Sequence, residues 1–237
     1  MKDNIATVRP MFWVSRTEPD NANTAIRLRE MGFCALTVPV LKPRAVRTSW
    51  PQDNPDALVF TSAHGVRFHN FDGNMLELPV FTVGDRTARA AISAGYRNVR
   101  SASGDVRDLE HLVHQEIPVG RIVFHCSARQ PAGYLVGNLK RAGYEARRVP
   151  VYETQAVPLD ELTAVLVPLQ NIDGILIHSP RAGRIVRQFI ERFPTGFAGS
   201  IYCISSDAAA RFAGLPDARI RIAERPDENS MLRFLQH

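Results

Sequence analysis

Six places in this chain end an apolar run on a small or hydroxylated residue and then open a helix-like pattern. They are Ser15-Arg16, Thr61-Ser62, Gly84-Asp85, Ser127, Ser179 and Ser205-Ser206. Such a turn offers the unpaired amides of a helix start, the positive end of its dipole and a side-chain donor. The chemistry this suits is the binding of anions, either carboxylates or phosphates. Ser, Thr and Asp are also the preferred N-caps, so each turn taken singly reads as a cap. Taken as a set, facing one cleft from two domains, they read as an anion site. One further side chain has chemical potential, Tyr152 in Val151-Tyr152-Glu153-Thr154. A phenol keeps its proton at neutral pH and can act as a general acid. The competing reading of Tyr152 is a connector residue packing its ring.

Other chemistries lack their motifs. The sequence has no glycine-rich dinucleotide fingerprint after its first strand, no Walker loop, no zinc-protease helix and no nucleophile elbow. His111 and His114 share a helix face without a third ligand, so no metal and no cofactor are expected.

The elements that must hold these residues alternate strand and helix. Strands are expected over 11–15, 33–38, 57–62, 79–84, 98–100, 121–125, 145–149, 174–178, 201–204 and 219–222. Helices are expected over 23–30, 64–71, 86–94, 106–115, 132–141, 159–169, 181–192, 207–212 and 229–236. Such alternation implies right-handed crossovers and parallel sheets covered on both faces. In sheets of that kind ligands bind beyond the carboxyl ends of the strands, where the six turns fall.

The pattern is also duplicated. Thr37-Val38-Pro39-Val40 and Arg148-Val149-Pro150-Val151 each follow a helix closing on glycine, Gly32 in one copy and Gly143 in the other. Prolines and glycines recur at one common offset, as in an internal repeat. Leu58-Val59-Phe60-Thr61-Ser62 likewise matches Ile175-Leu176-Ile177-His178-Ser179, and Phe81-Thr82-Val83-Gly84 matches Tyr202-Cys203-Ile204-Ser205. Proline lacks an amide donor and belongs at sheet edges and connectors, so both proline stretches read as crossings between domains. The expected fold is α/β, with two domains of five parallel strands each. One is continuous over 43–148 and the other is assembled from 1–38 and 155–237. The crossings, 38–43 and 148–155, lie side by side as a two-stranded ladder, and 42–55 is a linker.

At 237 residues, 45% hydrophobic and 22% charged, the chain has the composition of a globular protein with room for two domains. No apolar run reaches a membrane span, and the first ten residues read as a short polar leader without a signal peptide's apolar core. Cys34, Cys126 and Cys203 are isolated and odd in number, which fits a reducing cytoplasm. The net charge of +5 suits an anionic ligand, but no nucleic-acid module is present.

Several short motifs in fixed order resemble the uroporphyrinogen-III synthase family. They are Phe-Thr-Ser-Ala-His-Gly-Val at 60–66, Val-Gly-Asp-Arg-Thr-Ala at 83–88, Val-Tyr-Glu-Thr at 151–154 and Ser-Pro-Arg-Ala at 179–182. The resemblance implies two flavodoxin-like domains joined by the ladder. It also implies a cofactor-independent hydro-lyase of tetrapyrrole and haem biosynthesis. That enzyme closes the linear polycarboxylate hydroxymethylbilane to uroporphyrinogen III, inverting the last pyrrole ring and losing water. It places Tyr152 on the tyrosine that helps the hydroxyl leave, and Thr87 on a threonine near the substrate. A monomer is expected, with transient contact to the preceding enzyme of the pathway. The chain departs from the family pattern at Ala208, where many members carry threonine, and at Ser15-Arg16-Thr17-Glu18-Pro19 after the first strand. The other class left open is a non-catalytic two-domain sensor that closes on a small anionic ligand.

Overall fold

The structure is a computed structural model and describes residues 9–69, 73–131, 133–166, 168–194, 196–215 and 218–236. Parts of four expectations lie outside those residues: the leader up to residue 8, positions 70 and 71 of the second helix, the start at 132 of the fifth, and position 167 of the sixth.

In chain order the elements begin with β1 (Met11–Val14), α1 (Asp20–Glu30), β2 (Cys34–Thr37), β3 (Leu41–Ala45), β4 (Ala57–Phe60) and α2 (Ala63–Phe68). Then come β5 (Pro79–Thr82), α3 (Asp85–Ser93), β6 (Asn98–Ser101), α4 (Val106–Glu116), β7 (Ile122–Ala128), α5 (Leu135–Arg141) and β8 (Glu145–Ala156). The chain closes with α6 (Leu159–Val165), β9 (Gly174–Ile177), α7 (Pro180–Ile190), β10 (Ser200–Cys203), α8 (Ser206–Ala209), β11 (Arg219–Ile222) and α9 (Glu228–Leu232). No helix among the described residues is long and apolar enough to cross a membrane.

The chain divides into two compact units, Met1–Lys42 with Gln155–His237, and Pro43–Thr154. The first holds a five-stranded sheet in the order β11-β10-β9-β1-β2, with every pair parallel. Its central strand β9 is buried end to end, as a sheet covered on both faces requires. One face packs Trp13, Ile175, Ile177 and Ile201 against Phe189 and Phe212. The other packs Phe12, Val14 and Leu176 against Leu28 and Met231. Edge strand β11 reads Arg-Ile-Arg-Ile, and its charges discourage pairing with another chain.

The second unit holds six strands in the order β3-β8-β7-β4-β5-β6, where five were expected. The extra strand is β3, in the stretch read from sequence as the start of a linker. The Val46 amide donates to the Val151 carbonyl, and that of Val157 to the Val40 carbonyl. Residue numbers therefore fall on β8 as they rise across β3, so this pair runs antiparallel. Pro43, which has no amide to donate, is tolerated because β3 is the sheet's edge. β8 does not stop near Val149 but continues for twelve residues. It accommodates Pro150 by a register shift: Pro150 faces Ser127 while Tyr152, two residues on, faces Ala128.

The helices expected over 64–71 and 132–141 span only Ala63–Phe68 and Leu135–Arg141, and three others give way to 3₁₀ turns. α6 stops at Val165, and Pro168 starts a separate 3₁₀ turn, Leu169–Asn171. α8 and α9 likewise end in 3₁₀ turns. The duplication survives in the topology: β4, β5 and β6 stand to their sheet as β9, β10 and β11 stand to theirs, and β7 and β8 correspond to β1 and β2.

Candidate functional site

A parallel sheet binds ligands where the strand order reverses. In the 43–154 unit the order reverses between β4 and β7, and the turns that leave these strands carry Thr61, Ser62 and Ser127. Thr61 Oγ1 lies 3.0 Å from His125 Nε2. His125 is 3% exposed, and burial, reinforced by the Arg148 charge, pushes its pKa down to about 4, so it is neutral at pH 7. Ser62 caps α2, accepting the His64 amide at 3.2 Å. A hydroxyl used in this way still has its own proton to donate. Ser127 is buried and its hydroxyl donates to the Ala128 carbonyl, so it has no free donor. Gly84 caps α3 without a side chain, and Thr87 sits buried in the first turn of that helix.

Tyr152 is 8% exposed. Its ring stacks on Phe68 with centroids 5.9 Å apart and planes at 26°, and lies 5.6 Å from the His64 ring. Its carbonyl accepts the Arg129 amide at 2.7 Å. The hydroxyl has no hydrogen-bond partner among the described residues. Helix α2, which supplies this wall, approaches β7 closely: a Cβ on Gly65 would lie 2.6 Å from the Cys126 carbonyl oxygen. Thr61, Ser62 and Tyr152 thus share one neighbourhood, set by β4, α2 and β8, in which a phenol and two hydroxyls stand among aromatic rings.

In the other unit the order reverses between β1 and β9, and the turns carry Ser15, Arg16 and Ser179. Here the polar groups are already committed. Ser15 is fully buried and donates to the Leu176 carbonyl at 2.7 Å. Arg16 pairs with Asp20 at 3.1 Å and with Glu228 at 3.4 Å. Glu228 also receives the Thr24 hydroxyl, Arg27 at 2.9 Å and His178 Nε2 at 3.2 Å. Burial alone would raise the Glu228 pKa. Hydrogen bonds from His178 and Thr24 and the neighbouring positive charge outweigh it and hold the carboxyl at about 2. Burial lowers the pKa of His178 against the pull of Glu228, and the neutral ring donates through Nε2. Its Nδ1 is buried with no partner among the described residues, a cost that the Glu228 bond offsets.

Ser179 caps α7, accepting the Ala182 amide at 3.1 Å, with Pro180 at the first helical position. Ser205 caps α8 in the same way at 3.4 Å, and Ser206 begins that helix. Ala208 is fully buried in the apolar core. Cys126 and Cys203 are buried and unpaired, and burial pushes the Cys203 thiol up to about 12. His111 touches Gln115, and His114 touches the Tyr144 hydroxyl. Sequence reasoning passed over His125, His178 and Glu228. The available signal was a histidine inside an otherwise apolar strand, which must find a polar partner once buried. Glu228 had none, since its partners arrive from α1, β1 and β9.

Fold and site define a parallel α/β protein of two related units whose strand ends present hydroxyls and helix-start amides. The chain belongs to the uroporphyrinogen-III synthase family: the model of that family, described as uroporphyrinogen-III synthase HemD, matches residues 22–233. The fold is also that of the uroporphyrinogen-III synthetase of Helicobacter pylori 26695, at TM-score 0.61 and 17% identity over 96% of this chain and 98% of the other. A mutant uroporphyrinogen III synthase from the extremely thermophilic bacterium Thermus thermophilus matches with TM-score 0.49 and 16% identity, over 96% and 97% of the two chains. No curated protein matches the chain in sequence.

Proposed function

We propose that this protein cyclises hydroxymethylbilane to uroporphyrinogen III, inverting the last pyrrole ring and releasing water. The observation that carries this reading is the family match running from residue 22 to residue 233. The reaction breaks the bond between the terminal methylene and its hydroxyl. Tyr152 supplies the proton that lets the oxygen leave as water. The cationic azafulvene carbon left behind is attacked by the substituted α carbon of the last pyrrole ring; that ring's old methylene bond then breaks and re-forms at its free α carbon, and the proton lost there restores the phenol. A phenol held by Phe68 and His64, with no hydrogen-bond partner among the described residues, is suited to that donation. The carboxylate arms are met by Thr61, Ser62, Ser179, Ser205 and Ser206 and by the amides after Gly84, with Thr87 near the substrate. Ser15, Arg16 and Ser127 contribute through backbone, since their side chains are engaged within the protein.

The two domains of this reading are 43–148, and 1–38 with 155–237, each with a flavodoxin-like core of five parallel strands, and the crossings 38–43 and 148–155 pair as a ladder. Counted along the chain, the discontinuous unit has the order 2-1-3-4-5 that flavodoxin shows. The protein acts as a cytoplasmic monomer, with transient contact to the enzyme that delivers its unstable substrate. The test supplies fresh hydroxymethylbilane and separates the porphyrin isomers by chromatography after oxidation. Type III product in excess of the spontaneous type I isomer is expected; type I alone would refute the assignment.

A further inference from the structure

A second feature of the 43–154 unit is a cavity of about 390 Å³ between α5 and strands β7 and β8, lined among others by His125, Tyr134, Leu135, Lys140, Arg147 and Arg148. Arg147 is ion-paired with Asp53. Lys140 and Arg148 pair with no carboxylate among the described residues, so two cations border the cavity without compensation. Such an arrangement draws in anions. The rest of the wall is apolar, and Tyr134, 84% exposed, holds its ring at the surface. The space is far larger than a phosphate or acetate ion needs. It suits a flat apolar body with anionic arms. His125 joins the cavity to the strand-end turn, since it lines the one and lies 3.0 Å from Thr61 in the other.

We propose that this cavity seats one pyrrole ring of the substrate, with its two carboxylate arms on Lys140 and Arg148 and its face along Tyr134 and Leu135. The inference rests on the synthase reading for the identity of the ring, and on the cavity alone for its chemistry. Lys140 and Arg148 then act in recognition and take no part in the bond changes.

The test titrates isotope-labelled protein with a monopyrrole bearing one acetate and one propionate arm, followed by the backbone amide resonances. Saturable shifts should concentrate in 133–148. In the double variant Lys140→Gln/Arg148→Gln the affinity should fall about tenfold, the effect of two solvent-exposed charge contacts. KM for hydroxymethylbilane should rise several-fold with kcat nearly unchanged. Both side chains are exposed, so the melting midpoint should stay in place and separate lost binding from lost folding. Shifts elsewhere only, or equal affinity in the double variant, would overturn the proposal. So would inorganic phosphate binding as tightly at the same amides, which would mark a simple anion site. Failure of the synthase reading looks different: type I product alone from the wild-type chain, with the monopyrrole still seated at 133–148.

Discussion

The turns at the two strand-order reversals descend from one repeat yet are built on opposite plans. In the discontinuous unit, Arg16, Thr24, Arg27 and His178 all converge on Glu228. A carboxylate satisfied by that many donors binds its own structure together and leaves little for a ligand. It anchors α9, a five-residue helix that could not stand alone, to β1, α1 and β9. In the continuous unit the acid that follows Gly84, Asp85, accepts the Ser101 and Ser103 hydroxyls at 2.7 and 2.8 Å. Thr61 meets a neutral His125, and the Tyr152 hydroxyl is unpartnered among the described residues. On the proposed function the repeat has divided the labour at the two reversals: one copy spends Arg16 and His178 on stability, and the other leaves the Tyr152 hydroxyl to the substrate.

If so, the largest stability effect should come from the committed copy. Replacing Glu228 with Gln should cost on the order of 2 kcal/mol and lower the melting midpoint by roughly 4–8 °C. The isomer composition of the product should be unchanged. The acid limb tests the same group. Its folded pKa of about 2 lies below the unfolded value of 4.5, so its contribution is complete above about pH 4.5 and is lost as pH falls toward 2. Calorimetric scans across that window should show the loss in the wild-type chain and not in the variant. An unchanged midpoint in the variant would dissolve the contrast between the copies.

A smaller effect compares a glycine in the first turns of α2 with one in those of α7. A methyl group on Gly65 would meet the Cys126 carbonyl oxygen at 2.6 Å, whereas one on Gly183 would meet the Ala208 oxygen at 3.1 Å. Gly65→Ala should therefore destabilise by about 1–3 kcal/mol. For Gly183→Ala, the gain of up to about 1 kcal/mol in helix propensity should offset the milder crowding. Urea denaturation of both variants decides, and equal costs would mean that α2 and α7 pack alike.

The smallest effects belong to the strand-end hydroxyls. Thr61→Ala, Ser62→Ala and Ser179→Ala should each weaken substrate binding by about 0.5–1.5 kcal/mol, since amides share the load. Ser62 and Ser179 are also N-caps, so their variants should lose about 1 kcal/mol of stability besides. Measuring KM beside the urea midpoint separates the two losses. Abolished binding in any one variant would place the substrate elsewhere.

Much of this architecture is legible in the chain because short β-branched runs, glycine helix ends and paired prolines are local signals. The sixth strand is not: Leu41-Lys42-Pro43-Arg44-Ala45 has two charges and a proline, and becomes a strand only because β8 offers it an edge. The continuation of β8 through Pro150 depends likewise on the register shift against Ser127. At the candidate site, residue types are readable but their availability is not. Ser15 and Ser62 look alike in sequence, yet one hydroxyl is spent on the Leu176 carbonyl and the other keeps its proton. The Glu228 cluster joins residues from opposite ends of the chain, beyond any local motif.

The most direct test of the divided labour is the initial rate of type III porphyrinogen formation by Tyr152→Phe beside the wild-type chain, at a temperature where both are folded. Only the hydroxyl is removed, and the stacking on Phe68 is kept, so the melting midpoint should hardly move. Loss of a positioned general acid should lower the rate at least about tenfold. An undiminished rate in the Phe variant would remove Tyr152 from the chemistry and, with it, the claim that the continuous unit carries the reaction.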